Sequence, residues 1–415
     1  MHSIDPYNER FAPDRDADRY YREKVRAVVG IVLDAWEGDS PAVVLSGSLA
    51  LGEGRVVRAD DGIGPASDID LYLVTTEERH AAGLDLLPRV RAALRRSPGC
   101  RGLTVDLGVT SPARLAAAPV SIANRTLAEY GRVLAGDADV LDCMRSLKGQ
   151  PIPPTDGLLL LQNRTVEALV PVPLFTESSM HDAFWYLHAK TVRDIGLSAA
   201  VVAGRFAPRL SDRAELVRAT WEGSDLGAVV SDFPALYERA VRDEAGGATA
   251  SPGANAKSGA RDETALRRAW QDLGATLFAV ARWEYRAVDP RANGAPTSWV
   301  SVGNSPFRRR VKSWLPYATG EPGVFLRALT GGFPGTPMQG AYAAASCLMA
   351  SVGAAWGDMS GNTDAMLEGA RATCPFRAGS RAPEAAWWEM RNAICDYWNE
   401  TVLGGSRTIE KGSPR

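Results

Sequence analysis

The sequence predicts an α+β protein, with an N-terminal domain built on a mixed sheet followed by a larger all-α domain. Three observations carry this. The first 110 residues alternate short apolar runs of strand length with stretches of helical period. Beyond Pro151, Pro153 and Pro154 the texture turns helical. Nine of the eleven tryptophans lie after residue 200, so the second part is built differently from the first. At 415 residues the chain is also longer than one core usually grows. The expected division is an α/β domain over 1–150 and a helical domain over 151–404.

Element by element, Arg15 to Trp36 places Tyr21, Val25, Val28, Val29 and Val32 at helical spacing, the pattern of an amphipathic opening helix. Pro41 breaks it, and Ala42 to Leu45 is a short run suited to a buried strand. Asp68 to Val74 (DIDLYLV) alternates as a second strand. Glu77 to Arg96 reads as a helix closed by Ser97, Pro98 and Gly99, and Leu103 to Val109 (LTVDLGV) as a third strand. Helices are then expected over Leu158–Val170, Met180–Ile195, Arg213–Trp221, Thr264–Arg286, Pro322–Leu329, Met338–Trp356 and Pro383–Thr401. Residues 245–263, rich in Gly, Ala and Ser, read as a mobile loop, and 405–415 as a disordered tail.

Bulk properties narrow the function classes. A formal net charge of −2 supplies no global basic field, which argues against a long nucleic acid as partner. Five scattered cysteines without a CxxC pair suit reduced thiols in a cytoplasm. The opening MHSIDPYNERFAPDRD has no apolar core, so no signal peptide is expected. No run approaches the roughly 18 apolar residues of a membrane span. The expectation is a soluble, cytoplasmic protein.

Chemistry concentrates in the first domain. Gly47 follows the first strand and lets the backbone turn sharply. Ser48 adds a hydroxyl and an N–H at an expected helix start, which suits a phosphate. Asp68 and Asp70 fall on one face of the second strand, because strand side chains alternate. Asp106 sits mid-strand, where an unpaired charge would be expensive. Two carboxylates so close raise each other's cost of ionisation unless a cation lies between them. Three carboxylates beside a phosphate-ready turn suit two-metal phosphoryl or nucleotidyl transfer, since Mg²⁺ takes oxygen ligands and leaves positions for substrate phosphates.

Gly47-Ser48, then Asp68-Ile69-Asp70 on a strand, then Asp106 on a later strand resembles the DNA polymerase β-like nucleotidyltransferase superfamily. The likeness covers roughly residues 15–145. It departs in one respect: EGRVVRADDGIGPAS lengthens the interval from Ser48 to Asp68 beyond the usual ten or so residues, as a hairpin or flap would. Leu160 to Arg164 (LLQNR), Lys190 with Asp194, and GRFAPRLSDR (204–213) look like the helical half of small-molecule and aminoglycoside-type members.

The resemblance implies that Gly47, Ser48 and Lys190 bind the nucleotide. It implies that Asp68, Asp70 and Asp106 ligate two Mg²⁺ ions and that Asp106 helps deprotonate the acceptor. The implied reaction moves a nucleoside monophosphate, most simply AMP from ATP, onto a hydroxyl of a small molecule such as an aminoglycoside or sugar-like metabolite, in antibiotic inactivation or in biosynthesis. Pyrophosphate leaves, and the site would lie in a cleft between the domains. Alternatives are transfer onto protein or RNA, a toxin–antitoxin-type regulatory transferase, and a silent scaffold.

Other features read as structural. His181 and His188 share a helix face without a nearby Cys. Arg308 to Arg310 with Lys312 form a charge run, and Asp60-Asp61-Gly62 reads as a turn. Trp387, Trp388 and Trp398 suit core packing or a homodimer interface.

Overall fold

The computed structural model describes residues 6–403 apart from 37, 60–61, 176–180, 246–262, 293–295, 301–312, 314–335, 360–361, 375 and 377–379. The expected helix at Pro322–Leu329, the Arg308–Lys312 run, Asp60-Asp61, nearly all of the 245–263 loop and the 405–415 tail lie outside the described residues. The described parts of residues 1–152, 207–213 and 242–252 form one unit, and those of 153–206, 214–241 and 253–415 another. Together they are mixed α/β and mostly helical.

In the first unit, α1 (Arg15–Ala35) starts at Asp14, whose carboxylate accepts the N–H groups of Asp16 (3.1 Å) and Ala17 (2.9 Å). β1 (Ala42–Ser46) runs into the short helix α2 (Gly47–Ala50). A hairpin of β2 (Val56–Ala59) and β3 (Gly62–Pro65) fills the long interval before β4 (Ile69–Val74). Then come α3 (His80–Arg96), β5 (Val105–Thr110), α4 (Pro112–Ala116), α5 (Ile122–Tyr130) and β6 (Arg132–Ala135).

The sheet is ordered β5-β4-β1-β6, with β4 and β5 parallel and the other pairs antiparallel. β6 is absent from the sequence reading. Four residues directly after a helix show no period, and only pairing with β1 makes them a strand.

Both sheet faces are used. Val43, Leu45, Ile69, Leu71, Leu73 and Leu107 pack on the valine stripe of α1 and on Leu87, Val90 and Leu94 of α3. Burying each such side chain contributes about 1.5–3 kcal/mol. On the other face Ala42, Val44 and Val74 meet Leu115, Leu127, Val140, Met144 and Leu147. This second core covers only one end of its face.

The second unit is helical: α6 (Pro154–Leu169), α7 (His181–Val202), α8 (Leu210–Glu222, from residue 214), α9 (Leu226–Val229), α10 (Phe233–Ala245), α11 (Glu263–Val288), α12 (Pro296–Trp299), α13 (Pro337–Ala350), α14 (Thr363–Thr373) and α15 (Pro383–Trp398). The QNR of LLQNR ties α6 to four neighbours. Gln162 donates to Tyr285 on α11 (2.7 Å), while Asn163 accepts from Tyr342 on α13 (2.5 Å) and Trp398 on α15 (3.1 Å). Arg164 pairs with Asp194 on α7 (2.6 Å) and with Glu167.

The Arg164 side chain is 11% exposed, so Asp194→Asn leaves a buried charge short of a partner. The expected loss is about 3–5 kcal/mol, read by urea unfolding. A variant as stable as the wild type would contradict this ion-pair role. Trp387 and Trp398 are buried, as core packing requires. His188 lies between the rings of Trp185 and Trp270, and burial pushes its imidazole down to about 4, so it is neutral at pH 7.

Candidate functional site

Three polar residues stand side by side across the sheet. Ser46 at the end of β1 is opposite Asp70 on β4, and Asp70 is opposite Asp106 on β5. Alternation then sets Val44, Tyr72 and Gly108 in the next row on the same face, and Ala42, Val74 and Thr110 in the third. The second core covers the Ala42–Val74 end. Ser46, Asp70 and Asp106, at the far end, are only half-buried. Two charges are therefore held on a rigid sheet at its partly open corner.

The turn beside them is shaped around one carboxylate. Gly47 has φ +67°, and a Cβ built there would overlap Asp70 Oδ2 and come within 3.1 Å of its Cγ. Glycine is needed twice over, for the backbone conformation and for the space. Gly47→Ala should cost about 1–2 kcal/mol for the backbone alone and push the Asp70 side chain aside. Unfolding by denaturant checks this, and a variant as stable as the wild type would contradict it.

Ser48, half-buried, is the second residue of α2. Its carbonyl accepts the Glu53 N–H at 2.8 Å, and Gly54 N–H binds the Phe11 carbonyl at 2.8 Å. The Glu53 carboxylate in turn accepts the Leu210 N–H at 2.5 Å. The segment after the turn is thus held at several points. Residues 207–213 of the GRFAPRLSDR stretch pack with this first unit, and Arg209 lies over the Tyr130 ring at 5.2 Å.

Asp68, half-buried, stands one residue ahead of β4, so it is placed by the base of the hairpin more than by the strand ladder. Two of the three expected carboxylates, Asp70 and Asp106, are brought together by register, with Asp68 two residues from Asp70. Among the described residues, no group of three His, Cys, Asp or Glu side chains is arranged to hold a metal ion. Tyr72 shares the face with Asp70; burial and then the Asp70 charge push its phenol up. Lys190 is on α7 of the helical unit, half-buried and one turn before Asp194.

Ser46 and Tyr21 were not singled out from the sequence. Ser46 was legible in principle, since period-two counting back from the Gly-Ser turn puts it on the carboxylate face. Tyr21 was not, because its role depends on a contact 46 residues away.

No protein-family model, curated protein or solved structure matches the chain. Among the described residues, no helix is long and apolar enough to cross a membrane.

Proposed function

We propose that the first unit is a nucleotidyltransferase domain and that the chain transfers a nucleoside monophosphate, most simply AMP from ATP, to a hydroxyl of a small molecule. One observation carries the reading. Asp70 and Asp106 are set opposite each other by a parallel register, and the glycine of the adjoining turn leaves room for the Asp70 carboxylate alone. Two carboxylates placed on neighbouring strands of one half-buried sheet face are costly for stability alone and suit a bound cation.

The donor set fits Mg²⁺, because hard oxygen ligands suit that ion and it is commonly held by one or two carboxylates plus substrate phosphates. Asp70 and Asp106 would hold it, with Asp68 as a further ligand brought up by the hairpin base. When bound, the ion would offset negative charge on the phosphate oxygens and on the leaving pyrophosphate. The protein's own groups do the rest. The turn at Gly47 and Ser48 would grip the triphosphate tail and aim its α-phosphorus. Asp106 would take the acceptor's proton as its oxygen bonds to that phosphorus. The α–β anhydride bond breaks, and pyrophosphate leaves with the electron pair. Two sheet-borne carboxylates hold their spacing better than loop-borne ones would, which is what in-line transfer needs.

The test incubates the full chain with each α-labelled nucleoside triphosphate, Mg²⁺ and a panel of aminoglycosides, sugars and proteins. Label on a small-molecule acceptor, with pyrophosphate released one for one, supports the reading. Release of labelled monophosphate or none at all overturns it.

A further inference from the structure

The interval between Ser48 and Asp68 contains a full hairpin, yet Asp68 must still arrive beside Asp70. The interval is closed at its base by the Ala66 and Ser67 N–H groups on the Arg55 carbonyl (3.0 and 3.2 Å), and the Tyr21 hydroxyl sits on that closure. Tyr21 is fully buried on α1, with Val25 and Val28 one and two turns further along the same buried stripe. Its Oη donates to the Arg55 carbonyl, where the hairpin leaves the chain. It accepts the N–H groups of Ala66 (3.2 Å) and Ser67 (2.9 Å), where the hairpin returns. Both N–H groups are shared between this hydroxyl and the Arg55 carbonyl, and the Ser67 carbonyl lies 3.2 Å from the same hydroxyl. Burial pushes the phenol up to about 12, so its proton stays on to donate. The Arg55 N–H adds a bond to Ser67 Oγ (3.0 Å), and Ser67 is itself buried. The next residue is Asp68.

We infer that Tyr21 is a positioning residue for Asp68: its hydroxyl anchors the backbone-closed base of the hairpin to α1, so Asp68 leaves that anchor at a set point whatever lies beyond it. This deepens the function proposed above and rests on it. It also gives the long spacing a physical account, since loop length beyond a pinned base adds little entropy cost and does not move the base.

The test titrates Mn²⁺ into the full chain with an ATP analogue carrying a methylene bridge between the α- and β-phosphates, following free Mn²⁺ by EPR. Tyr21→Phe keeps the ring and removes only the hydroxyl. Removing a partner that orients a metal ligand costs about tenfold or more in metal affinity, so the Mn²⁺ half-saturation should rise by about tenfold. Val28→Ala is the control, a cavity on the same buried stripe of α1 that lowers the melting temperature without touching the anchor. It should leave the half-saturation unchanged.

If Tyr21→Phe does not fold, Ser67→Ala removes one bond of the hairpin base, Arg55 N–H to Ser67 Oγ, and should raise the half-saturation in the same direction, and wild-type affinity in that variant then overturns the inference. Wild-type affinity in Tyr21→Phe, or an equal rise in Val28→Ala, overturns the inference while leaving the proposed function standing. Absence of nucleotide-dependent Mn²⁺ binding in the wild type overturns both.

Discussion

Asp70→Asn is expected to lower nucleotidyl transfer by about a thousandfold or more, while the chain melts near the wild-type temperature. The first half follows from charge. Asparagine keeps the shape that fits beside Gly47 but cannot serve as an anionic ligand, and losing about 4 kcal/mol of transition-state stabilisation corresponds to roughly that factor. The second half follows from shape, since asparagine matches the outline of aspartate at this half-buried place on β4. Most substitutions of half-buried residues destabilise, so loss of activity with no loss of stability marks a residue kept for chemistry. Transfer assays and thermal melts on the same preparation decide it. Transfer at the wild-type rate would remove Asp70 from the site.

The second large effect concerns stability. Glu284 on α11 is fully buried, and burial pushes its carboxyl from 4.5 up to about 8. Its neighbour Ser198 lies 2.6 Å from Glu284 Oε1 and 2.7 Å from the Gly157 carbonyl. The Ser198 hydroxyl is placed to donate to both oxygens but has one proton, so a protonated Glu284 supplies the second bond and the chain α11–α7–α6 is complete only while Glu284 is protonated. Its other oxygen is buried with no hydrogen-bond partner, which a neutral acid tolerates far better than a carboxylate.

Between pH 4.5 and about 8 the folded chain keeps a proton that the unfolded chain has released. The stabilising contribution of this acid is therefore complete below pH 4.5 and is lost as pH rises through 8, with a slope of up to about 1.4 kcal/mol per pH unit. Glu284→Gln does not titrate, so its stability relative to the wild type should climb with pH and differ on the order of 3 kcal/mol between pH 4.5 and 7. Urea unfolding of both chains at pH 5 and pH 8 reads this out. Parallel pH dependences would contradict a protonated Glu284.

Much of the first unit was legible from period alone. The α1 stripe, the Ala42–Leu45 run and DIDLYLV sit within a residue of the observed elements. Asp70 and Asp106 could be picked because a charge inside an apolar strand conflicts with its surroundings, Asp68 because it shares alternation with Asp70, and Gly47 and Ser48 because they follow the first strand directly. β6 could not, being four residues whose strand character comes from a partner. LLQNR shows the same limit in the helical unit. In the sequence it reads only as part of a family-like helical half, and in the fold its polar residues bridge helices, because their partners Tyr285, Tyr342, Trp398 and Asp194 are distant in the chain.

Alternation and helical period are local, so the chain alone specified the strands and helices that carry such a period and the faces they bury. Register is not local. That Asp70 lies opposite Asp106, that Gly47 makes room for it, and that Tyr21 anchors the hairpin base ahead of Asp68 are all settled by hydrogen bonds between segments tens of residues apart. Such bonds form only when the whole sheet and α1 have come together.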